Sequence, residues 1–272
     1  MAKATEPDEE LETVTVTSTD GTEIAYKRSG SGPPLILVHG STSTHTAWER
    51  VRPGFANHFT VCAMDRRGHG ESGDADEYAL EREVEDVVAV IDSVEESPTL
   101  LGSNFGAIIL MEAALQTETR ALVLNEPSIP VADQEFPSDA ELEVLTGLVE
   151  DGKNEQALVL FYNLGEQPVG IDELREWENW QNRVNEAHLI PREWEAIREY
   201  VFDPARLTDM TTPLLLLTGS ESDAIFNDAT AAADEALPNS RLVTFEGQGS
   251  AAYKSAPDSF IDEVLSFVRR ST

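Results

Sequence analysis

Five short runs of this chain are apolar or nearly so, and they constrain the fold more than any other feature. Leu35-Ile36-Leu37-Val38 is the clearest, and residues 59–64, 99–101, 121–124 and 214–217 repeat it. A strand with one wet face alternates polar and apolar residues. A run without that alternation is buried on both faces, as strands are inside a parallel sheet. Residues 242–245 read as a further short strand. Ahead of the runs, residues 13–17 and 23–27 flank the tight-turn sequence Thr19-Asp20-Gly21 and predict a hairpin.

Helical patterns fill the intervals. Val84, Val87, Val88 and Ile91 share one face of a helix over residues 80–91. Residues 105–115 are apolar almost all round and predict a central buried helix. Residues 223–237 and 257–268 predict two more. Strands alternating with helices imply an α/β fold with a doubly wound, mostly parallel sheet of about eight strands. One section breaks the rhythm. From residue 127 to 204 no strand is expected, only helices near 140–150, 156–163, 172–185 and 193–201. Trp177, Trp180 and Trp194, three of the four tryptophans, fall there. This section is expected to be a helical cap over the carboxyl edge of the sheet, where open α/β sheets bind ligands. The chain is thus expected to divide into a core domain, residues 1–126 and 206–272, and a cap insertion, 127–205. Its 272 residues suffice for both.

Charge narrows the function classes. The 51 acidic against 19 basic residues give a net charge of −32, and only Lys3, Lys27, Lys153 and Lys254 are lysines. Such a chain repels nucleic acid and anionic membrane surfaces. The acids are spread along the whole chain. A dispersed acidic surface poor in lysine suits a high-salt cytoplasm, where screening shortens like-charge repulsion. The chain is read as halophilic and cytoplasmic. The first ten residues are acidic with no apolar run, so no secretion signal is expected, and no run is long enough to span a membrane. The single Cys62, inside an apolar run, is expected to be a buried strand residue.

The chemistry is concentrated in four motifs. Gly102-Ser103-Asn104-Phe105-Gly106 keeps both glycines of the Gly-x-Ser-x-Gly strand-to-helix turn that presents a nucleophilic serine, but its middle residue is Asn104. An amide has no proton to give up at neutral pH. His39-Gly40-Ser41 follows the first buried run. Asp65-Arg66-Arg67-Gly68-His69-Gly70-Glu71-Ser72 follows the second. Phe245-Glu246-Gly247-Gln248-Gly249-Ser250 lies late in the chain. In this order, each after an expected strand, they resemble the α/β-hydrolase family over nearly the whole chain.

That resemblance implies a catalytic triad with two members replaced. Asn104 stands at the nucleophile position and Ser250 at the histidine position. Glu221 is the expected acid, with Asp223 or Glu126 as alternatives. The backbone N–H groups of Ser41 and Phe105 would form an oxyanion hole. His39, Gly40, Trp48 and Ser103 are expected around the pocket, although Trp48 fits simple helix packing equally well. Ser103 as a displaced nucleophile would need His45 or His188 nearby. Arg66 and Arg67 are expected to tie their turn to neighbouring carboxylates. Five histidines and one cysteine without ligand spacing imply no metal site, and no cofactor is expected.

Three functional readings follow. The first is a pseudoenzyme that binds a small apolar ester-, lactone- or carboxylate-like molecule. The second is an esterase- or lactonase-like hydrolase, or other cofactor-free enzyme, with a rearranged site. The third is a protein-interaction or structural role. The charge pattern makes its own prediction: moving the protein from molar KCl into salt-free buffer should abolish its helical far-UV circular dichroism. A spectrum unchanged by salt removal would refute the halophilic reading.

Overall fold

The computed structural model describes residues 11–130, 138–165, 168–207, 210–237 and 239–271. Its strands are β1 (Glu12–Thr17), β2 (Glu23–Gly30), β3 (Pro34–Val38), β4 (Thr60–Met64), β5 (Thr99–Ser103), β6 (Ala121–Asn125), β7 (Leu214–Gly219) and β8 (Ser240–Phe245). They form one eight-stranded sheet in the order β1-β2-β4-β3-β5-β6-β7-β8. β2 runs antiparallel to β1 and β4; every pairing from β4 through β8 is parallel.

Because side chains alternate along a strand, each buried run feeds two cores at once. Ile36, Val38, Leu100, Leu122 and Leu216 face one side, against α2 (Leu80–Asp92) and α3 (Phe105–Ala114). Leu35, Leu37, Leu101, Val123 and Leu215 face the other, with Trp48, Phe55 and the apolar stripe of Pro257–Arg270. Cys62 is fully buried in β4, and burial pushes its thiol up to about 12, so it packs as a small apolar residue.

Five helices lie between β6 and β7: Asp139–Glu150, Asn154–Tyr162, Ile171–Arg175, Trp180–Glu186 and Ile190–Glu199. They share a separate apolar cluster that includes Leu145, Leu158, Trp180, Ile190 and Trp194. A capping box between Ser138 and Glu141 opens the first. The single helix expected over 172–185 is two. Asn179, at φ 59°, turns the chain left-handed between them. Asparagine tolerates that conformation better than most residues. The break lets Trp177 meet the Tyr162 ring at 5.0 Å while the Trp180 indole N–H donates to Glu155.

Candidate functional site

β5 hands directly to α3 through Asn104, whose φ of 51° and ψ of −114° lie outside the relaxed regions. The turn is possible because its neighbours lack side chains. A methyl group on Gly106 would collide with the carbonyl oxygens of Val38 and His39, and one on Gly102 with the Gly106 carbonyl. Among the described residues, four besides glycine have positive φ: Thr42, Asn104, Glu126 and Asn179. The first three adjoin one another at the carboxyl edge, so backbone strain is concentrated at this site.

The Asn104 amide is occupied at both ends. Its Oδ1 accepts from Ser103 Oγ at 3.1 Å and its Nδ2 donates to the Glu126 carbonyl at 3.2 Å. Ser103 is buried, its oxygen accepting from Asn125 Nδ2 at 3.2 Å. The same Asn125 amide donates to the Ser250 carbonyl at 3.0 Å, which fastens the Ser250 loop to the end of β6. Gly40, Ser41, Asn104 and Ser250 are half-buried. Phe105 opens α3, so its N–H has no acceptor within the helix.

The acidic candidates separate by burial. Glu221, the first expectation, is exposed on its loop. Asp223 is half-buried, precedes the helix Ala224–Ala236, and packs against Gly165 of the cap helices' connecting loop. Glu126 is fully buried beside Asn104. Its Oε1 accepts from Thr218 Oγ1 at 3.0 Å, Gly219 N at 2.9 Å and Ser222 Oγ at 2.5 Å. Its Oε2 is buried with no hydrogen-bond partner. Burial raises the Glu126 carboxyl above the ordinary range despite those three donors. Loop position alone does not say whether a side chain turns inward: Glu221 is exposed and Glu126 lies beside Asn104.

Two expected pocket residues belong to the interior instead. Trp48 is fully buried with its ring 4.9 Å from Tyr253. His39 is fully buried, its Nδ1 2.7 Å from the Gly40 carbonyl and its Nε2 accepting from Arg66 N at 3.2 Å. Burial, then the charges of His69 and Arg66, hold His39 well below its usual range, so it is neutral. No histidine reaches Ser103 or Ser250. His45 Nδ1 lies 2.9 Å from Asp65 Oδ1, His188 Nδ1 lies 2.7 Å from the Asn185 carbonyl on the exposed side of the cap, and His58 is exposed.

The motif predicts carboxylate partners for Arg66 and Arg67, but carries no signal that His69, Glu186 and Glu193 join Arg66 in a buried charge cluster between the helices after β6 and the sheet. Arg66 is fully buried, donating to Glu83 Oε1 at 2.5 Å and to Glu193 Oε1 at 2.8 Å, with its guanidinium 4.6 Å from the Phe105 ring centre. His69, also fully buried, places Nε2 2.7 Å from Glu193 Oε1 and Nδ1 3.2 Å from Glu186 Oε2. Burial alone would lower His69; the charge of Glu193 and the bonds to Glu186 and Glu193 outweigh it and lift the imidazole to about 9. Glu193 in turn is held far below the usual carboxylate range: burial opposes ionisation, but Arg66 and His69 win. Thr42 Oγ1 adds a 2.7 Å bond to the Tyr162 hydroxyl. Arg67 does tie its turn to carboxylates, with Asp86 at 2.7 Å and Asp20 at 3.0 Å.

A groove of about 1000 Å³ runs beside this cluster, lined by Tyr78, Tyr200, Arg192 and several carboxylates; Asn104 and Ser250 are not in its walls. Among the described residues, no group of three or more His, Cys, Asp or Glu side chains is arranged to hold a metal ion. No helix among them is long and apolar enough to cross a membrane.

The chain matches the alpha/beta hydrolase family over residues 35–263 and belongs to it. An alpha/beta hydrolase of Sphaerobacter thermophilus is 32% identical and superposes with a TM-score of 0.83, covering 93% of this chain and 99% of that one. A pimeloyl-[acyl-carrier protein] methyl ester esterase of Aeromonas hydrophila is 28% identical over 258 residues, 90% of this chain and 99% of that protein. The esterase RhEst1 of a Rhodococcus species shares the fold, with a TM-score of 0.78, 23% identity, and coverage of 96% of this chain and 100% of that one.

The buried cluster yields two predictions. Glu193→Gln leaves Arg66 and His69 short of a counter-charge where water cannot replace it, and should cost about 3–5 kcal/mol. Glu178→Gln, which breaks only the exposed pair with Arg50, should cost less than about 1 kcal/mol. Guanidinium unfolding in high salt measures both, and similar costs would refute the assigned role of Glu193. The second concerns pH. His69 titrates near 6.5 when unfolded and about 9 when folded. Its stabilisation is full below the lower value and lost as pH rises through the upper one. The thermal midpoint of the parent should fall across that window relative to His69→Gln; parallel curves would mean His69 is uncharged.

Proposed function

We propose that this chain binds a small ester- or carboxylate-like molecule at an α/β-hydrolase site that no longer hydrolyses. One observation carries the reading: the elbow keeps its strained geometry, yet the Asn104 amide bonds to Ser103 and Glu126, and no imidazole stands near a hydroxyl there. Nucleophilic acyl transfer needs a hydroxyl or thiol and a base within hydrogen-bond reach. Asn104 supplies no hydroxyl or thiol, and Ser250 supplies no base. In this reading Glu126 is the former orienting acid. Its partnerless Oε2 is the oxygen an imidazole N–H would have used.

The N–H groups of Ser41 and Phe105 remain as donors for a carbonyl or carboxylate oxygen. Residues 127–205 serve as the cap over them, held down by Glu193 on Arg66 and His69 and by Tyr162 on Thr42. The ester-type ligand is supported by the relative's action on a methyl ester. A halophilic, cytoplasmic setting is supported by the acid-rich composition.

The test is hydrolysis of p-nitrophenyl acetate in molar KCl by the parent and by Asn104→Ser/Ser250→His. The introduced hydroxyl and imidazole, with Glu126 behind them, should raise kcat/KM by on the order of 10³-fold, and Glu126→Gln in that background should remove most of the gain. Parent turnover equal to that of a folded double variant would overturn the proposal.

A further inference from the structure

With 51 acids for 19 cations, most basic side chains of the described residues meet a carboxylate. Arg50 pairs with Glu178, Arg175 with Glu155, Arg192 with Asp74 and Arg206 with Glu112. Arg52 donates to the Ser29 hydroxyl instead, but Arg183 and Lys254 differ from the other cations in lining one hollow together. They face each other across the seam between cap and core, and neither forms an ion pair with a carboxylate among the described residues. Arg183 donates only to neutral groups, the Tyr162 hydroxyl and the Thr42 carbonyl, and its Nε is buried without a partner. The Lys254 ammonium lies 5.7 Å from the Tyr253 ring centre.

The two cations share a small hollow with Ser43, Thr46, Asn179 and Asn182. Its walls carry hydroxyl and amide donors and no carboxylate, the reverse of the groove beside α2. The enclosed room is that of a single water-sized guest. Two like charges held together and partly removed from water repel strongly. Burial, then Arg183, push the Lys254 ammonium down to about 8; Glu178 and Glu49 pull the other way, and Arg50 adds to the repulsion. A negative guest between the two cations would remove that repulsion and satisfy the orphaned Nε.

We propose that the hollow between Arg183 and Lys254 is a binding site for one small monovalent anion, chloride in the simplest case. A monovalent anion matches the hydroxyl and amide donors, the two cations and the missing carboxylate. It would bridge the oxyanion loop, the helix Trp180–Glu186 and the segment Ala252–Ser255, and so clamp cap to core independently of the Glu193 cluster. Sulfate, larger and doubly charged, does not fit the room.

The experiment is ³⁵Cl NMR line broadening, with chloride titrated into the full chain in potassium sulfate at constant ionic strength. The parent should add saturable excess width. Arg183→Gln and Lys254→Met should each weaken chloride binding by about tenfold or more, the loss of one charge-assisted contact, with circular dichroism spectra unchanged. A crystal of the parent soaked in bromide should give an anomalous peak between Arg183 and Lys254, a reading that needs no variant. Absence of excess broadening in the parent, or broadening that survives both substitutions, would overturn the proposal.

Discussion

Everything at the carboxyl edge depends on one strained turn. Asn104 leaves β5 with positive φ and starts α3 in the next residue, which requires backbone to pass backbone at van der Waals distance. Gly102 and Gly106 allow that approach, since any side chain would strike a carbonyl group. The strain is affordable because both flanking elements are buried and fully packed. Gly40 of the loop after β3 lies against Asn104, and the end of β6 and the Ser250 loop gather round the turn through Asn104, Asn125 and Glu126. The turn's conformation is imposed by neighbours rather than by the side chain it presents.

A second constraint is the charge sealed under the cap. The surface carries a large excess of acid, and an exposed ion pair there contributes little. Inside, the same residue types behave differently. Arg66 and His69 carry charge in a site without solvent because Glu83, Glu186 and Glu193 surround them. Breaking such a cluster is costly even where forming it contributes little net stability. These helices thereby gain one preferred seat, with Glu193 on Arg66 and His69 and Tyr162 on Thr42. In an acid-rich chain the informative residues are the few basic ones. Where they are buried with acids they lock the fold, and where Arg183 and Lys254 line one hollow without a carboxylate they mark the place proposed for another anion.

Much of the fold was legible in the sequence. The two-sided burial of Leu35–Val38 and its counterparts identified the central strands, and the Thr19-Asp20-Gly21 turn the hairpin. The identities of Asn104 and Ser250, and the charge imbalance, are likewise properties of the sequence alone. The alternation of buried runs with helical stripes admits few arrangements other than a doubly wound sheet.

Tertiary structure decided the rest, because burial and partnership depend on residues far apart in the chain. Glu126 and Glu221 look equally acidic in one dimension; only the fold turns the first inward among Thr218, Gly219 and Ser222 and leaves the second in water. His39 and Trp48 follow a site motif yet are sealed in the core. The break at Asn179 is set by two tryptophans reaching different partners. Arg66 meets Glu193 across 127 positions of sequence, and no local pattern marks that meeting. The sequence determined which elements form and which reactive groups are missing. The tertiary structure determined which charges lose their water, and therefore which of them bind one another.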